Sequence, residues 1–142
     1  MKTVAAAALL TAMLAACAPV DYADSEEAAE AQTFVVDGDR SRIYVYRDDN
    51  VVLNTRISVS IDGELVGVTG NKTYVVATVD PGMHTIVAQG ENTDELTVET
   101  DGGEIVFVEL GVGLGAFTNR ANLFQVEPEA GKAAVVKTRL VK

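Results

Sequence analysis

Few side chains in this 142-residue chain could do chemistry, and they are sparsely placed. There is one cysteine, Cys17, and one histidine, His84. A lone cysteine forms no intrachain disulfide. A lone histidine excludes multi-histidine metal sites, and as a catalytic base it would need a nucleophile or carboxylate beside it. His84 alternates with Ile86 and Ala88 on one face of an apolar run, which favours a ring packed at the rim of a sheet and donating to a backbone carbonyl. Asp48-Asp49-Asn50 reads as a solvated turn. The acids from Asp21 to Glu30 lack the spaced oxygens and sharp glycine turn of a calcium loop. These residues assign no catalytic group, metal or cofactor, and the protein is expected not to be an enzyme.

The stretch best suited to contact is Gly111 to Arg120, with three glycines at alternate positions between two apolar runs. It is no phosphate loop, because it lacks the lysine and the following helix. Leu114, Phe117, Asn119 and Arg120 place apolar area beside directional donors, as contact surfaces do. A guanidinium there could take a carboxylate or phosphate from a partner. In the alternative, Phe117 plugs the core and Arg120 pairs with Glu109.

Charge narrows the partners. Eleven basic against 21 acidic side chains give a net charge of −10, which disfavours nucleic acid, whose binding relies on releasing counterions from phosphates. The absence of tryptophan weakens a sugar-stacking surface.

The N-terminus has a basic start, Met1-Lys2, and an apolar core from Val4 to Ala16, too short for a permanent membrane helix but the right length for an export signal. It ends in Leu14-Ala15-Ala16-Cys17, which resembles the lipobox of bacterial lipoproteins. That resemblance implies cleavage before Cys17, lipid (palmitate among its acyl groups) on its thiol and new amino group, and membrane attachment. Ala18 after the cysteine resembles the pattern of lipoproteins sent to the outer membrane. The implied location is the inner leaflet facing the periplasm, with the cell surface as an alternative. Residues 1–16 are thus expected as signal peptide and 17–39 as lipidated cysteine plus acidic tether, with only a transient helix at Ser25–Glu30.

The remaining 40–142 must position any site. Ile57, Val59 and Ile61 alternate with Ser58, Ser60 and Asp62, and Asp62-Gly63 suits a tight reversal. Pro81-Gly82 suits a turn that folds Thr73–Val79 back onto His84–Gln89. Arg42–Arg47 carries large side chains on both faces, as in a strand mid-sheet or one with tyrosines under a covering segment. Leu96 and Val98 point inward, and Ile105–Leu110 is the most apolar strand. A short helix from Pro128 to Val136 and an edge strand near Thr138–Val141 close the chain. The expected fold is all-β: a single immunoglobulin-like or prealbumin-like β-sandwich of seven to eight short strands with a short C-terminal helix.

Arg42-Ile43-Tyr44-Val45-Tyr46-Arg47, Val59 to Gly67, Tyr74, and Val79-Asp80-Pro81-Gly82-Met83-His84-Thr85-Ile86 occur in an order that resembles the DUF2846 domain of proteobacterial lipoproteins. That domain is itself akin to PEGA-type and carboxypeptidase-regulatory-like modules. The resemblance brings no catalytic residues. It implies a lipid-anchored envelope protein that binds or spaces an envelope protein or polymer. The alternative is an enzyme or enzyme inhibitor acting on envelope polymers.

Overall fold

The computed structural model describes residues 19–49, 55–114 and 119–142, and the side chains of Leu114 and Asn119 fall outside that description. Two sheets face each other. One has five strands in the order β8-β7-β1-β4-β9 and the other four, β3-β2-β5-β6. In chain order these are β1 Ser41–Arg47, β2 Ile57–Ile61, β3 Glu64–Thr69, β4 Thr73–Val79, β5 Gly82–Gln89, β6 Thr93–Thr100, β7 Ile105–Leu114, β8 Asn119–Val126 and β9 Arg139–Leu140. The all-β sandwich is as expected, and the described strands number nine because the closing edge strand is a separate two-residue element.

The alternation of β2, β5 and β6 drives Ile57, Val59, Ile61, Ile86, Ala88 and Val98 between the sheets, where they meet Ile43, Val45, Val75, Val106, Val108 and Leu110. Asp62 and Gly63 both adopt positive φ, 52° and 85°, the geometry of a type I′ hairpin whose twist matches its strands.

One expected pairing is wrong. Thr73–Val79 does not fold back onto His84–Gln89. β4 pairs with β1 and β9, while β5 pairs with β2 and β6, so Pro81-Gly82 carries the chain from one sheet to the other. The reason lies in Tyr74 and Val76, which join Tyr44 and Tyr46 in one cluster that no β5 residue enters. β1 also runs parallel to β7. An immunoglobulin sheet would hold the first, second, fifth and fourth strands together. Here β1 and β4 share a sheet without β2 or β5, which leaves the prealbumin-like alternative.

A second correction concerns residues 20–34, expected as solvated tether. Asp24 caps a helix, α1 (Ser25–Ala31), by accepting from the Glu27 N–H at 2.9 Å. That helix lies on the outer face of the five-stranded sheet. Ala31 is buried, the Tyr44 hydroxyl donates to its carbonyl at 2.6 Å, and Phe34 packs on Tyr44 and Phe107. Before α1, Tyr22 bridges Val141 and the Lys142 N–H donates to the Asp21 carbonyl. Tyrosines on the outward face of β1 need a cover, and α1 supplies half of it.

The other half is α2 (Pro128–Val135), with proline in its first turn. Gly131, unfavourable for a helix by propensity, is there because a Cβ would overlap the Phe107 ring.

Candidate functional site

Turns separate the sandwich into two ends. Asp62-Gly63, Asp80-Pro81 and Asp101–Glu104 lie at one; Gly70–Lys72, Gly90–Asn92 and the β7–β8 connection lie at the other. Gly111 to Arg120 was expected as a loop, but its described residues are mostly ladder. β7 and β8 stay in register from Phe107↔Val126 out to Leu114↔Asn119, whereas β1 pairs with β7 only as far as Glu109. The last turns of this hairpin therefore overhang the sheet. Phe117 lies outside the described residues. Leu114 and Asn119 form its last described backbone pair, and Arg120, opposite Gly113, is exposed.

The two faces of the hairpin differ. Leu110, Ala121 and Leu123 point into the core, with Val112 packed against it. On the outer face Gly111 lies opposite Asn122, Gly113 opposite Arg120, and Glu109 opposite Phe124. The Phe124 ring lies 3.7 Å from where a Gly111 Cβ would stand and the Asn122 amide 3.5 Å from that of Gly113, so the exposed row of Phe124, Asn122 and Arg120 lies against the two glycines, with Phe124 56% exposed. No carboxylate stands within ion-pair distance of Arg120 among the described residues, and Glu109 instead faces the Tyr46 hydroxyl at 3.5 Å. Burial, then the Glu109 charge, pushes that phenol up to about 12. Phe124 and Asn122 were missed from sequence. Their signal was the register itself, which counts back from the tip only once the hairpin's length is known.

The free edge of β8 is closed by side chains. The Asn92 amide donates to the Ala121 carbonyl at 3.0 Å and accepts from its N–H at 2.7 Å, and Asp94 accepts from the Leu123 N–H at 2.7 Å. These contacts imitate a neighbouring strand and block edge-to-edge pairing.

At the same end Arg47 is wholly buried. It donates to the Thr55 carbonyl at 2.6 Å, to Asn71 at 3.1 Å and to Asp49 at 3.2 Å, tying two turns together. Burial pulls its pKa down, and Asp49 opposes that. Its Nε and one Asp49 oxygen find no partner among the described residues.

At the opposite end His84 is buried at the rim. Nδ1 lies 2.6 Å from Asp62 Oδ2, and Nε2 lies 2.7 Å from the Asp80 carbonyl. Burial works against protonation of the ring, but the hydrogen bonds and charges of Asp62 and Asp80 outweigh it and raise the pKa. Asp62 is lowered by the same bond and by the Thr85 N–H. A ring fixed on both nitrogens is a clamp between two turns. No cluster of three metal-ligating side chains occurs among the described residues.

The sequence of residues 26–121 matches the family described as "Protein of unknown function (DUF2846)". The chain belongs to the DUF2846 family. The match begins inside α1 and runs through β7, so this family's shared region includes part of the segment expected as tether. A Haemophilus influenzae protein described as "Uncharacterized protein" is 30% identical over 130 residues, covering 90% of this chain and 77% of the relative. The DUF2846 assignment carries no activity with it.

Proposed function

We propose that this DUF2846 protein is a lipid-anchored envelope protein that acts by binding, through the outer face of the β7–β8 hairpin, and not by catalysis. The observation that carries the reading is the hairpin's outer strip: exposed Phe124, Asn122 and Arg120 in one row, laid against Gly111 and Gly113. Aromatic and guanidinium groups are what binding surfaces concentrate. Cys17, in its lipobox-like context, is the proposed attachment point, and export to the outer membrane the proposed destination.

The enzyme or inhibitor alternative requires two carboxylates facing one groove, about 5–10 Å apart for glycoside hydrolysis. Asp62 with Glu64, and Glu104 with Glu127, do line shallow clefts. In each pair one carboxylate already holds a turn: Asp62 binds His84 and Thr85, and Glu104 accepts from the Asp101 N–H. That favours binding over catalysis.

Photo-crosslinking amino acids at Phe124, Arg120 and, as a sheet-face control, Thr97 test the proposal in intact envelopes. A discrete product from the first two positions and none from Thr97 is expected. Equal or absent products would overturn the hairpin assignment. Palmitate label retained by Cys17→Ser would overturn the anchor.

A further inference from the structure

Resting on the anchor reading, we infer that the acylated domain is seated directly on the bilayer at the corner where β3, β9 and the N-terminal segment meet. The β7–β8 hairpin is then held at the diagonally opposite corner, away from lipid.

The chain between anchor and fold is very short. Val20 already packs against the main core, Tyr22 bridges Val141, and Ala23 donates to the Leu140 carbonyl at 3.1 Å. Only three residue steps separate Cys17 from Val20, a reach of about 11 Å even when fully extended.

The exit point follows from the register. β9 runs parallel to β4, with Leu140 beside Tyr74, and the Val141 N–H donates to the Tyr74 carbonyl at 2.9 Å. Antiparallel to β9, the segment from Ala23 back to Val20 therefore climbs toward the level of Ala77, and Val20 and Ala77 pack on the same core. Lys142 closes the gap between the sheets there: a Cβ on Gly67 of β3 would meet its backbone at 3.1 Å. The chain thus leaves the fold at the β3–β9 side, heading for the end that carries Asp62-Gly63.

The hairpin is as far from this point as the fold allows. Arg47 pairs with Thr73 at the far end of β4, and β7 continues some four residues beyond the level of Arg47. Along the strands this is about 25 Å, and across from β9 to β8 four spacings add about 19 Å. Their diagonal, about 30 Å, is well beyond the 11 Å that the linking residues can span. A domain standing on the near corner therefore holds the hairpin off the bilayer.

The short link, not a cationic patch, places the near corner at the bilayer, and its exposed apolar group is Leu65. Leu65 on edge strand β3 is 65% exposed there, the Lys142 ammonium is paired with Glu27 at 3.0 Å, and Tyr22, 40% exposed under the Arg139 guanidinium, lies further along toward the level of Thr73.

The test uses full-length acylated protein, in which the lipid occupies the Cys17 thiol and an introduced cysteine is the only one free. Leu65→Cys and Arg120→Cys, each carrying a fluorophore, are reconstituted into phosphatidylethanolamine–phosphatidylglycerol vesicles with or without headgroup nitroxide. The residue 65 label is expected to lose most of its emission to the nitroxide, and the residue 120 label to keep it. Vesicle-bound protein with neither label quenched, both quenched, or only residue 120 quenched overturns the seating. Failure to float with vesicles, or flotation unchanged in Cys17→Ser, would remove the anchor reading instead.

Discussion

The sandwich has two apolar regions built on different logic. Between the sheets the core is aliphatic and self-sufficient, valine and isoleucine from seven strands closing on each other. On the outer face of the five-stranded sheet the second cluster is aromatic: Tyr44, Tyr46, Tyr74 and Phe107. Tyr44 stacks on Phe107 at 5.1 Å and on Tyr74 at 6.0 Å. Among the described residues no strand covers that face. It is dry only because α1 and α2 lie over it, so its integrity depends on the chain's two ends. The lesson is that residues 20–34 are a structural member of the domain.

The largest effect should come from removing that member. A chain starting at Val35 is expected to lose cooperative unfolding or melt far below one starting at Ala18, since Ala28, Ala31 and Phe34 leave the aromatic cluster bare. Matching melting curves would show that α1 is only an appendage. Next, Phe107→Ala should cost about 3–5 kcal/mol in urea unfolding, because its ring is 1% exposed and sits under both helices. A loss below about 1 kcal/mol would mean the cluster collapses around the gap and is less tightly packed than the aliphatic core.

Gly131→Ala sharpens the comparison further. By propensity alone alanine should stabilise α2 by about 1 kcal/mol. Against Phe107 the added methyl has no room, so a net loss of about 1–3 kcal/mol is expected. A rise in melting temperature would refute the close approach.

The smallest effect belongs to the His84 clamp. With the folded-state pKa raised, its contribution is full below the unfolded value near 6.5 and fades as pH rises through the folded value. Asp62, lowered, contributes above its ordinary value and loses that as pH falls through the folded one. Stability of wild type relative to Asp62→Asn should therefore decline from just above pH 6.5 upward. A difference that is flat with pH across that range would show that the contact carries no charge.

Much of the main core was legible because period-two alternation marks a buried face directly. Ile61, Ile86 and Val98 could be assigned inward from their own strands, whereas Ile105–Leu110, apolar on both faces, could not be. The aromatic cluster was half legible: both faces of Arg42–Arg47 carry large groups, so some cover was required. Its identity was hidden, because an alanine- and glutamate-rich stretch of seven helical residues resembles a spacer, and what holds it, the Asp24 cap, the Tyr44 surface and the pairs Glu27–Lys142 and Glu30–Arg42, is mostly distant in sequence. The hairpin site was legible as a region and not as a surface. Gly111, Gly113 and Arg120 stand out by type, whereas Phe124 joins them only through pairing.

By itself, then, the sequence determined most of the strands, the buried faces of those that alternate, the Asp62-Gly63 reversal and the proline-started helix, all of which follow from local sterics and side-chain alternation. The tertiary structure alone decided that β4 joins β1 and not β5, that β1 lies parallel to β7, and that residues 20–34 are part of the domain. Backbone hydrogen bonds are the same whichever strand supplies them, so a strand's own residues cannot name its neighbour. That choice is made by which assembled faces bury the most apolar surface together.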